Sequence, residues 1–134
     1  MKIEELSVGD WVRYRDREWI VCSLYQFTEE VGLWRKDSQL CEYVADIDPI
    51  PLTAEILEKN GWLPPRAGIS RDTWWWTNKV DTAIEASEYQ GEWQLTIIEQ
   101  REIQYNYRLG LGLKYVHQLQ HALRLAAVKK EIEL

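Results

Sequence analysis

Apolar and polar side chains alternate along four short stretches in the first third of the chain, at 11–15, 18–25, 31–34 and 39–44. A period of two is typical of strands that bury one face. Polar turns such as Asp16-Arg17 separate these stretches. The pattern predicts a small antiparallel β unit of the SH3-like or barrel-like kind over residues 1–48.

A linker with one short helix is predicted over residues 49–66. Pro49 and Pro51 restrict the backbone there to extended conformations. Thr53 stands where its hydroxyl can cap a helix, and Gly61 stands where a helix needs a left-handed residue to end. The two signals together predict a helix between them.

Residues 67–134 are predicted to form an antiparallel sheet covered by a C-terminal helix. Strand-like stretches run over 73–78, 82–88, 93–100 and 102–108, and 131–134 alternates like a terminal edge strand. The expected class is therefore α+β. The helix is predicted because apolar residues recur at helical spacing, namely at Tyr115, Val116, Leu119, Ala122, Leu123, Ala126 and Ala127.

Net charge argues against a binder of duplex DNA. The 16 Lys and Arg residues are outnumbered by 22 Asp and Glu residues, which leaves a net charge of −6. The charged opening is not typical of a secretion signal, and no apolar run reaches the length of a membrane span. Cys22 and Cys41 are expected to be reduced thiols. We therefore expect a cytoplasmic protein that does not enter a membrane.

Two histidines share one side of the predicted C-terminal helix. At about 100° per residue, His117, His121 and Arg124 project away from the apolar stripe. Imidazoles four residues apart can share a metal ion, but the general base that follows the first histidine in zinc proteases is replaced here by Gln118. The alternatives are a metal site and a polar face that contacts solvent or a partner. The second is favoured, and neither a metal nor a cofactor is predicted.

Eight tryptophans are the most unusual feature of the composition. In a strand, Trp74 and Trp76 share one face and Trp75 lies on the other. Trp75 is thus either packed between two layers or part of an exposed surface that stacks on a partner. Both alternatives stay open from the sequence.

Aromatic and basic residues also mix on the first strand. Trp11, Arg13 and Arg15 alternate onto one face, an arrangement that suits a single-stranded nucleic acid or a small ligand. The alternative is a solvated strand face with cation–π contacts and ion pairs. The acidic composition favours that alternative.

Three sequence blocks resemble small uncharacterised proteins of bacteriophages and mobile elements of gut bacteria. The resemblance implies a phage or mobile-element accessory protein and carries no catalytic or binding residues with it. The blocks are Val8-Gly9-Asp10-Trp11-Val12, Pro49-Ile50-Pro51-Leu52-Thr53 with 55–61, and Tyr115-Val116-His117-Gln118-Leu119-Gln120.

These observations favour a protein-interaction module over an enzyme. There is no nucleophile elbow, phosphate-binding loop or acidic metal loop in the sequence. The expected partner is a host or phage protein, and the alternatives are single-stranded nucleic acid or a small ligand. The oligomeric state is left open. The expected contact residues are Trp11, Arg13, Arg15, Trp75, His117, His121 and Arg124.

Overall fold

The structure, a computed structural model, describes residues 1–66, 73–79, 81–100 and 104–134. Over these residues the protein is α+β, as predicted, with two antiparallel sheets and two α-helices. The chain divides into two compact units, Met1–Pro51 with Tyr115–Gln120, and Leu52–Lys114 with His121–Leu134. The division expected from the sequence, at 1–48, 49–66 and 67–134, stays a prediction, and its boundary at residue 67 lies outside the described residues.

The first unit contains a five-stranded sheet in the order β4-β3-β2-β1-β5. Short 3-10 helices occupy Ile3–Glu5 and Val44–Asp46. Among the residues described, no backbone pairing joins β4 to β5, so hydrogen bonding does not close the sheet into a barrel. The strands are β1 (Trp11–Tyr14), β2 (Arg17–Tyr25), β3 (Glu30–Arg35), β4 (Ser38–Tyr43) and β5 (Asp48–Pro49).

Alternation along these strands produces the first hydrophobic core. Val12 and Tyr14 of β1 are buried while Arg13 between them is half-buried, and β3 buries Val31 and Leu33 on its core face. Each strand therefore has one face in the core and one outward face. The core cluster consists of Ile3, Leu6, Val12, Tyr14, Trp19, Val21, Val31, Leu33, Val44 and Ile47.

A hydrogen bond links the core faces of β1 and β4, although two strands separate them in the sheet. The Tyr14 hydroxyl donates to the Glu42 carboxylate, and this bond, followed by burial, raises the pKa of Tyr14 above 10.0. Both side chains lie on the core face of the sheet, where Tyr14 is buried and Glu42 pairs with the buried Val31.

Titration of Tyr14 is expected to follow from that hydrogen bond. A raised pKa means that the pair stabilises the fold below pH 10.0, and that this contribution is lost as the pH rises through the folded-state pKa. Tyrosinate absorbance should thus show a group titrating above 10.0 that is missing in Tyr14→Phe. Glu42→Gln, which removes the charge, should bring that group back toward 10.0. Unchanged titration in both variants would contradict the assignment.

The second unit contains a four-stranded antiparallel sheet in the order β6-β7-β8-β9. Its core includes Trp62, Ile84, Trp93, Leu95 and Ile97, and the indole N–H of Trp93 donates to the Leu52 carbonyl at 3.1 Å. The strands are β6 (Thr73–Thr77), β7 (Thr82–Tyr89), β8 (Glu92–Gln100) and β9 (Gln104–Leu113).

Helix α1, Ala54–Lys59, begins and ends at the predicted signals. The hydroxyl of Thr53 accepts a hydrogen bond from the amide of Ile56 at 3.4 Å. Gly61 follows the helix with a φ of 82°, and the amide of Trp62 donates to the carbonyl of Leu57 at 3.0 Å. This hydrogen bond, from the residue after Gly61 back to a carbonyl in the last helical turn, is characteristic of a Schellman motif.

Helix α2, Val116–Leu125, buries the predicted stripe at Val116, Leu119, Ala122 and Leu123. No helix among the described residues combines the length and apolar character needed to cross a membrane. The predicted strand at 131–134 is wrong, because the segment pairs with a side chain instead of a strand. The Asn60 amide donates to the Glu133 carbonyl at 2.8 Å and accepts from the Glu133 amide at 2.7 Å.

Candidate functional site

Three large apolar side chains lie side by side on the outward face of the first sheet. The strand register pairs Trp11 with Ile20, and Ile20 with Trp34. Directly paired residues have their Cβ atoms about 5 Å apart on the same face, so the three form a continuous strip across β1, β2 and β3. Trp34 is 46% exposed, and Trp11 and Ile20 are half-buried. We call this strip the aromatic row.

Trp34 was not among the contact residues expected from the sequence, although the signal was present. Val31 and Leu33 alternate as core residues, which places Trp34 on the opposite face of the strand. Alternation alone does not predict that Trp34 pairs with Ile20, because a bulge in β2 between Val21 and Ser23 shifts the register.

A second set of aromatic side chains lies at the far end of the same sheet. Tyr25 pairs with Glu30 and Glu30 pairs with Tyr43, so two tyrosines flank a carboxylate on the outward face. Both tyrosines are exposed, and Phe27 in the β2–β3 turn is fully exposed. The outward face of the first sheet thus carries apolar surface at both ends of its strands.

The predicted arginines do not form one set with Trp11. Arg13 shares its face, but the register places Glu18 on one side of Arg13 and Asp48 on the other. The expectation that Arg15 continues this face is wrong, because β1 ends at Tyr14 and Arg15 lies in a turn with a φ of 49°. Its guanidinium stacks on the Tyr14 ring, 5.1 Å from the centroid. The local charge near Trp11 is therefore balanced.

Trp75 lies on the second sheet and faces away from Trp74 and Trp76, as the sequence predicts. Trp74 and Trp76 pair with the buried residues Ala86 and Ile84, whereas Trp75 pairs with the exposed Glu85. Two backbone hydrogen bonds, of 2.8 and 3.1 Å, join Trp75 to Leu63 on its other side. All three tryptophans are half-buried, so the run is neither a closed core nor an open platform.

His117 does not project outward as the sequence suggested. It is 4% exposed, and its ring stacks on Tyr115 with the centroids 5.8 Å apart. The physical reason is that this side of the helix faces inward, since Gln120, one turn further along on the same side, is also buried. The side-chain amide of Gln120 accepts from the Trp11 amide and donates to the Gly9 carbonyl, both at 3.0 Å.

The other two residues of the predicted helix face differ from His117 and from each other. His121 is half-buried and Arg124 is exposed, so the three do not form one open polar surface. Within the described parts of the chain, no three His, Cys, Asp or Glu side chains converge as metal ligands would. The paired-histidine alternative therefore gains no support from the geometry.

Comparison of the chain with protein-family models, with curated proteins and with solved structures gives no match.

Proposed function

We propose that the protein is a non-enzymatic interaction module that binds a partner protein through the aromatic row. The observation that carries this proposal is the continuous strip of Trp11, Ile20 and Trp34 on an outward sheet face. Contiguous apolar surface of this kind marks interaction sites on proteins. Tryptophan is enriched among the residues that contribute most to binding energy.

A protein partner fits the charges better than a nucleic acid does. The carboxylates of Glu18 and Asp48 flank Arg13, and Arg15 is engaged with Tyr14. Binding to a phosphate backbone needs basic groups in excess, and the chain carries a net charge of −6. Binding of single-stranded nucleic acid is therefore kept only as an alternative result of the experiment below.

The resemblance of the three sequence blocks supports a biological setting for this module. We assign the protein to the accessory proteins of bacteriophages or mobile elements, acting in the cytoplasm on a host or phage protein. Neighbouring genes check this setting, since a position among unrelated housekeeping genes would contradict it.

Capture from a bacterial lysate tests the binding role of Trp34. Immobilised wild type, Trp34→Ala and Tyr89→Ala are compared by mass spectrometry, with Tyr89 as an exposed aromatic residue outside the first sheet. We expect a protein that wild type and Tyr89→Ala retain and that Trp34→Ala retains about tenfold less, as for a hot-spot residue. Trp75→Ala, measured in parallel, shows whether the second sheet contributes.

Equal retention by wild type and Trp34→Ala would remove the aromatic row from the proposal, provided that circular dichroism shows both proteins folded. An oligonucleotide that quenches tryptophan fluorescence of wild type at low salt, but not that of Trp34→Ala, would replace the protein partner by a nucleic acid.

A further inference from the structure

Two cysteines lie on either side of a glycine on the outward face of the first sheet. Gly32 of β3 pairs with Ser23 of β2 and with Cys41 of β4. Cys22 is the extra residue of the β2 bulge, so Cys22 and Ser23 together oppose Gly32. We call the space above Gly32 the thiol notch.

Because Gly32 has no side chain, the side chains of Ser23 and Cys22 fill the space above it. A Cβ atom on Gly32 would lie 3.1 Å from the Cys22 sulfur and 2.0 Å from the Ser23 hydroxyl oxygen. Gln39 of β4 donates to the Cys22 sulfur at 3.7 Å, reaching across β3. The sulfur of Cys22 therefore extends over the glycine toward the strand that carries Cys41.

The second sulfur faces the same space from β4. Cys41 is two residues beyond Gln39, so both project to the outward face. Cys41 pairs directly with Gly32 in the strand register, and paired residues have their Cβ atoms about 5 Å apart on the same face.

A disulfide does not suit these two residues. Neighbouring strands are about 4.8 Å apart, so residues two strands apart have Cα atoms separated by about 9.6 Å. A disulfide needs Cα atoms within about 6.8 Å. A metal ion between the sulfurs adds two bonds of about 2.3 Å each, and thereby spans a gap that a single S–S bond cannot.

We propose that Cys22 and Cys41 bind a soft monovalent metal ion of the Cu(I) class in the thiol notch. Thiolates select such ions over hard cations, and Cu(I) is among the metals that thiolate ligands favour. Binding forms two sulfur–metal bonds and releases the two thiol protons to solvent. The site lies between the aromatic row and the two exposed tyrosines, and it does not depend on the proposed protein partner.

Anaerobic titration of the reduced full-length protein with Cu(I), in competition with a chromophoric Cu(I) chelator, tests the site. We expect one ion per chain for wild type, and at least a hundredfold weaker binding for Cys22→Ser and for Cys41→Ser. Ser23→Ala, which removes a hydroxyl from the same notch and keeps both sulfurs, should bind as wild type does. Circular dichroism establishes that each variant is folded.

Several results would overturn the assignment. They are the absence of binding to wild type, retention of binding by either cysteine variant, and one ion for every two chains, which would place the metal between molecules. Tighter binding of Zn(II) than of Cu(I) would also overturn it, since zinc prefers four ligands. An intramolecular disulfide formed readily under mild oxidation would show that the two strands are closer than a thiolate–metal bridge requires.

Discussion

Alanine in place of Asn60 is expected to lower the free energy of unfolding of the second unit by about 2–4 kcal/mol. Asn60 is 5% exposed, and its side chain takes part in three hydrogen bonds. It donates to the carbonyls of Ile56 and Glu133, both at 2.8 Å, and accepts from the Glu133 amide at 2.7 Å. The variant loses all three and frees the C-terminal segment that the side chain holds.

Chemical denaturation followed by tryptophan fluorescence measures this loss. Lys59→Ala, one residue away and exposed, is the control and should stay within about 0.5 kcal/mol of wild type. Removing Glu133 and Leu134 from both proteins completes a double-mutant cycle. Asn60→Ala should cost clearly less in the shortened chain, because two of its three hydrogen bonds are already gone. Equal costs in the two chains would show that the Glu133 contacts contribute nothing.

Gln120→Ala is expected to cost about 2–3 kcal/mol in the first unit. Gln120 is 7% exposed, and both ends of its amide are used, by the amide of Trp11 and the carbonyl of Gly9. Truncation leaves a backbone donor and a backbone acceptor without this partner at the start of β1. The lost hydrogen bonds lie at the start of β1, where Trp11 forms one end of the aromatic row.

Hydrogen exchange at the Trp11 amide reports this loss directly. A local cost of about 2 kcal/mol corresponds to exchange about thirtyfold faster. Gln120→Glu should be at least as damaging at neutral pH, since a carboxylate cannot donate to the Gly9 carbonyl. Gln94→Ala, at an exposed position of β8, should leave the amide protected. An unchanged exchange rate of the Trp11 amide in Gln120→Ala would show that the hydrogen bond from this amide to Gln120 does not protect it.

Elements with local signals were predictable from the sequence. The helix between Thr53 and Gly61 begins and ends where its capping residues stand, because both interactions involve neighbours within one turn. The opposite faces of Trp74 and Trp75 follow equally from the strand period. These inferences needed no knowledge of the rest of the chain.

Long-range polar contacts were not predictable. Asn60 and Glu133 are 73 positions apart, and Gln120 and Gly9 are 111 positions apart. In the sequence each amide looks like an ordinary exposed polar residue, and only the tertiary fold gives it buried partners. The burial of His117 was not predicted for the same reason. His117 lies on the side of α2 that carries Gln120, whose partners are distant in the sequence.

Glycines near the end of the last strand do not reveal their structure from the sequence either. Gly110 and Gly112 have the composition of a flexible linker before α2, yet β9 continues through Leu113. Gly112 has a φ of 72°, and the pairing with β8 is irregular between Trp93 and Thr96. Glycines in a strand commonly mark such an irregularity, and a run of them has the same composition in a linker.

The order of synthesis has a consequence for the first unit. Its last piece, Tyr115–Gln120, leaves the ribosome only after the segment 52–114 has been made. A nascent chain ending at Pro51 lacks the residues that bind the backbone of Gly9, Trp11 and Ile50. The first unit is therefore complete only after residues 115–120 have been synthesised, and a single cut of the chain cannot release it whole. Grafting it onto another protein requires both stretches of sequence, joined in a new order.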